Sequence, residues 1–160
     1  MPLLRYLMLL SLIVWLGGLI FFSFVVAPTV FSVLPTRHLA GSVVSRSLGA
    51  LHWIGIVSGI VFLATSMLYS RSHTGSVQPL APRHILLYIM MGLTLISQLD
   101  VSPRMATLRA SMPETNSVAA NDPVRVQFNA LHAWSTRLEG GVLLLGLIAV
   151  YLTAQQLSGS

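Results

Sequence analysis

Four titratable side chains, His52, Asp100, His132 and Glu139, fall within or at the edge of apolar runs, with Arg104 and Arg137 close by in sequence. Imidazole and carboxylate together could hold a divalent cation, relay a proton or bind a polar solute. Arg125, Asn129, His132, Thr136 and Glu139 follow one another at alternating steps of four and three, which puts them on one helical stripe. Leu143 and Gly146 continue that stripe into hydrocarbon. A charged group inside a membrane span costs about 2.5–3.5 kcal/mol on insertion scales, so the stripe must face protein, water or a partner charge.

The spacing does not select one chemistry. No two of these residues stand at a ligand spacing such as H-x-x-x-H. A divalent metal, or a b-type haem between His52 and His132, is an alternative that no residue pattern requires. The chain has no cysteine, which excludes disulfides, thiolate metal sites, Fe–S clusters and cysteine nucleophiles. Serine, histidine and aspartate are present without a nucleophile elbow. Each candidate also has a structural reading. His52 would bond a neighbouring helix, and His132 would sit at headgroup level beside Trp134. Glu139 would pair with Arg46, Arg104 or Arg137, and Asp100 with Arg104 one turn on.

The elements that must position these groups are membrane spans. Of 160 residues, 54% are hydrophobic and only 8% charged, and mean hydropathy is +0.79; a soluble domain carries about 25% charged residues. The nine basic residues are all arginines against four acids, and they lie between the apolar runs, a pattern that orients spans and does not fit a nucleic-acid partner. Four apolar segments, at about 4–31, 42–70, 83–102 and 130–155, each meet the roughly 20 residues a bilayer core demands. The uncharged run Tyr6 to Ala27 exceeds a signal-peptide core of about 7–15 residues and is expected to be a retained span. Pro28 predicts a kink or an early stop, and Pro103 a bend. Thr36 and Asn121-Asp122-Pro123 read as helix starts, and Arg71 to Pro82 as a polar loop.

The expected fold is an all-α membrane protein of one domain over 1–160. It is an antiparallel bundle of four transmembrane helices, with helices 2 and 4 extended beyond one membrane face. This topology brings His52, Asp100, Arg104, His132, Arg137 and Glu139 to one rim as a polar pocket. The opposite rim receives Arg5, Arg71, His73, Arg83 and His84, mostly in a loop. Six arginines on the pocket side against three on the other place that side in the cytoplasm of a plasma membrane (bacterial inner membrane) and the termini outside. Gly55-x-x-x-Gly59 fits internal helix packing, with a homo-oligomer contact as the alternative.

Several motifs also carry a family resemblance. The span Trp15 to Pro35 (WLGGLIFFSFVVAPTVFSVLP), Ala40-Gly41, Pro103 with Arg109 beyond it, and Phe128, Leu131, His132 and Ser135 as F-x-x-L-H-x-x-S occur in this order. Together they resemble the transmembrane-protein-205-like group. The resemblance implies a four-helix integral membrane protein without an established biochemical activity. The functional expectation is a non-enzymatic protein whose partners are the bilayer and a small solute or ion, bound or passed through the pocket. A haem- or metal-dependent redox protein and a structural or assembly partner are the alternatives.

Overall fold

A computed structural model describes residues 2–112, 119 and 121–158 of the chain, and every regular element among them is helical. Four helices, α1 (Pro2–Val33), α2 (Arg37–Thr74), α3 (Pro82–Ser111) and α4 (Pro123–Ser158), are long and apolar enough to cross a membrane. Helix is the form this sequence must take in lipid, because hydrocarbon offers no partner to an unpaired backbone N–H or C=O.

The helix ends are set locally. The Thr36 hydroxyl accepts from the Leu39 N–H at 3.2 Å and starts α2. Gly75, at φ 72°, closes α2 in the left-handed conformation that a side chain disfavours. At α4 the Asp122 carboxylate accepts from the N–H groups of Val124 and Arg125 at 2.8 and 3.3 Å.

Two prolines, Pro28 and Pro103, lie inside these helices. Each lacks an N–H and crowds the carbonyl four residues back, yet neither Pro28 nor Pro103 stops its helix. Instead the helix widens just ahead of it into a π turn, at Phe22–Val26 in α1 and Ser97–Val101 in α3. There the Ala27 N–H bonds Phe22 O, and the Ser102 N–H bonds Ser97 O. The extra residue in the turn absorbs the lost hydrogen bond and shifts the register of everything after it.

Helix α1 packs most extensively on α2, and α3 on α4. Between α1 and α2 the partners run in opposite numerical order: Arg5 meets Tyr69, Trp15 meets Gly59 and Gly55, and Gly18 meets Leu51. Any side chain at Gly55 would strike the Trp15 indole, and one at Gly59 would strike Met91 and Trp15. The small-residue face is thus filled from within this chain. The core consists of Met8, Leu12, Trp15, Leu16 and Leu19 from α1, Phe62 and Tyr69 from α2, Leu87 and Met90 from α3, and Val142 and Ala149 from α4. Large apolar side chains such as Ile13, Phe24, Val57, Leu99 and Leu144 stay exposed on the outside, as a lipid-facing surface requires.

Candidate functional site

At the rim where α1 and α3 end and α2 and α4 begin lies a cavity of about 850 Å³. The α4 stripe of Arg125, Asn129, His132, Thr136 and Glu139 lines it. Facing that stripe are Phe22, Pro28 and Phe31 of α1, Arg37, His38, Gly41 and Ser45 of α2, and Met105 and Arg109 of α3. The stripe's polar groups therefore share one cavity, the kind of setting that lowers the insertion cost of polar groups in a span.

Glu139 reaches from the cavity wall into the helix interface. Its Oε1 lies 2.7 Å from His52 Nε2 and accepts from the Ser97 hydroxyl at 3.1 Å. His52 is 2% exposed, and its Nδ1 lies 2.8 Å from Gln98 Oε1. The Ser97 O–H donates to the carboxylate, while the two ring nitrogens of His52 face two acceptor oxygens, Glu139 Oε1 and Gln98 Oε1, with the donor roles set by the tautomer. The π turn of α3 presents the adjacent Ser97 and Gln98 to different members of the same network.

Arg109 is a buried charged group on this cavity, at 9% exposure. Its guanidinium rests on Gly41, where a Cβ would come within 3.1 Å of Nε, and its Cζ stands 5.4 Å from the centre of the Phe128 ring. The ring face attracts the cation. Among the described residues no carboxylate and no hydrogen-bond acceptor engages it. Arg109 reaches this position because the buried face of α3 runs Ser97, Val101, Met105, Arg109. Steps of four drift around an ordinary helix; the wide turn at Ser97–Val101 takes up the drift.

Of the six residues expected at the pocket, His52, His132 and Glu139 are grouped at the cavity, with His52 just behind its wall through Glu139. His132 is exposed and stacks on Phe128, with ring centres 6.5 Å apart. The other three lie elsewhere. Asp100 and Arg104 form a 2.8 Å ion pair, 50% and 64% exposed, on the outer face of α3. Arg137 is exposed and lies over the Trp134 ring at 5.7 Å. The arginine expected beside Glu139 is replaced by His52. Ser97, Arg109 and Phe128 were not singled out as site residues from the sequence, although the polar stripe on α4 begins one turn from Phe128.

No three His, Cys, Asp or Glu side chains converge among the described residues, and both ring nitrogens of His52 are engaged.

The far rim is more polar inside than its sequence implies. Arg83 and His84 belong to α3 and are buried. Arg83 donates to Ser66 and Ser70 at 2.8 and 3.1 Å, and His84 Nε2 lies 2.7 Å from the same Ser66 hydroxyl. Arg5 donates to the Tyr69 hydroxyl at 2.8 Å. Phe62, Leu87, Met90 and Val142, each at most 1% exposed, belong to the apolar core between the two rims.

Four apolar helices around a buried polar network are the make-up of a multi-pass membrane protein. Residues 10–114 match the domain of unknown function DUF4149, and the chain belongs to that family. The match takes in His52, Ser97, Gln98 and Arg109 and ends before α4. Comparison with curated proteins and with solved structures gave no match.

Proposed function

We propose that this protein is an antiparallel four-span bundle that binds a small solute in the cavity at one rim. The supporting observation is the α4 stripe: five polar residues at helical spacing line one cavity of about 850 Å³. A space of that size suits a drug-sized molecule. The opposed order of contacts between α1 and α2 supports the antiparallel arrangement. The lengths of α2 and α4, 38 and 36 residues, support helices that project beyond one membrane face. The excess of arginines at the cavity rim supports a cytoplasmic position for it in a plasma membrane, with the termini outside. The likeness of the opening span to the transmembrane-protein-205-like group is compatible with this reading and adds no activity to it.

Binding is favoured over passage, since the apolar core separates the cavity from the far rim. The test is native mass spectrometry of the purified protein beside a Thr136→Trp variant that intrudes on the cavity. Small-molecule adducts on the parent, absent from a folded Thr136→Trp protein, are the expected result. Equal adducts on both, or none on either, would reject the reading.

A further inference from the structure

We infer that the cavity's ligand is an amphiphile with a single anionic head, a carboxylate or phosphate held by Arg109, and an apolar body. This rests on the binding reading above and names the class of ligand. A guanidinium that is nine-tenths buried carries a large desolvation cost unless an opposite charge meets it. Among the described residues Arg109 has only the Phe128 ring. Its guanidinium packs on Gly41 and the Phe128 ring and lines the cavity, and a planar fork with unengaged N–H groups can receive two oxygens of one anion.

The sign of the site follows from its lining. Among the described residues that line it, Arg37 and Arg109 stand against the carboxylate of Glu139, which is already committed to His52 and Ser97. Such a balance attracts anions and repels a free metal cation. The body of the ligand follows from the remaining walls. Phe22, Phe31, Val44, Leu48 and Met105 offer apolar contact next to the cationic group, and a fully hydrated inorganic anion would gain nothing from them. The same chemistry could arrive as a phospholipid from the bilayer or as a soluble organic acid.

The experiment uses the full chain in nanodiscs. One arm adds dodecanoate to protein in phosphatidylcholine discs and measures binding by calorimetry. The other compares phosphatidylglycerol with phosphatidylcholine discs by native mass spectrometry, counting retained lipid. Binding in the first arm alone assigns a soluble acid, and retention of phosphatidylglycerol alone assigns a lipid; either supports the inference. Arg109→Gln should then weaken the bound species about tenfold or more, and Arg109→Lys less, because the charge stays and the fork is lost. Arg104→Gln, on the outer face, should leave it unchanged. Should Arg109→Gln fail to fold, undiminished binding by Arg109→Lys together with no response to salt would count against the assignment. Undiminished binding by folded Arg109→Gln would overturn the anion assignment while leaving the cavity a binding site. Adducts that Thr136→Trp removes, with no dodecanoate or phosphatidylglycerol bound, would also overturn it.

Discussion

His52 and Glu139 meet at 2.7 Å across the interface of α2 and α4, 87 residues apart in sequence, with the histidine almost wholly buried. The contact ties the wall of the cavity to the helix packed behind it. Removing either partner leaves the other without its hydrogen bond in a region that water reaches poorly. Glu139→Ala and His52→Ala are each expected to cost about 1–3 kcal/mol, while the double variant should cost less than their sum by about 1 kcal/mol. Unfolding of the four proteins in one detergent, read as a double-mutant cycle, checks this. Additive losses would mean that the two side chains do not act as a pair.

Ser66 holds the far rim together in a similar way, since one hydroxyl serves both Arg83 Nε and His84 Nε2. Ser66→Ala therefore strips two buried groups of α3 at once and should cost about 2–3 kcal/mol. Ser72→Ala removes a hydroxyl that bonds only the carbonyls of its own helix, Leu68 and Tyr69, on an exposed position. Its effect should stay within about 0.5 kcal/mol. Melting temperatures of the two variants, measured side by side, decide between them.

Periodicity exposed the α4 stripe, because a helix repeats its faces at a fixed angle whatever surrounds it. The starts of α2 and α4 were legible for the same local reason, in Thr36 and in Asp122 before Pro123. What could not be read was rotation. Whether Arg104 or Arg109 faces inward depends on one extra residue in the turn at Ser97–Val101, and Pro103 signals trouble there without saying how the backbone resolves it. The partner of Glu139 depends likewise on how α2 is turned against α4, and nothing local to either segment records that angle. Arg83 and His84 follow a loop and a proline, a setting that normally means solvent, so their burial against Ser66 had no sequence signal.

The absence of cysteine makes single-cysteine labelling a direct probe of the cavity and its orientation. Thr136→Cys places a thiol on the cavity wall, and Leu144→Cys places one on the outer apolar surface two turns further along. A charged, membrane-impermeant thiol reagent should modify the first and spare the second. If the arginine-rich rim faces the cytoplasm, Thr136→Cys should react in inside-out vesicles and stay protected in intact cells. Reaction of both positions, or protection of both, would contradict a watery cavity bounded by lipid-facing walls. The reverse sidedness would leave the cavity and invert the membrane orientation.

Pro103→Ala separates stability from site geometry. In an ordinary helix interior alanine is better than proline by about 3 kcal/mol, so the substitution should not weaken α3. It restores an N–H for the carbonyl of Leu99 and removes the reason for the wide turn at Ser97–Val101. Closing that turn to α geometry shifts the register by one residue, which rotates every later side chain by about 100°. Arg109 would then leave its seat between Gly41 and Phe128, and Met105 would leave the cavity wall. The expected outcome is a protein that melts no lower than the parent yet binds the anionic amphiphile as poorly as Arg109→Gln. Amide exchange or electron paramagnetic resonance of a spin label at position 109 would report the rotation itself. Full binding by Pro103→Ala would show that packing of α3 against α4 holds the π turn open without the proline.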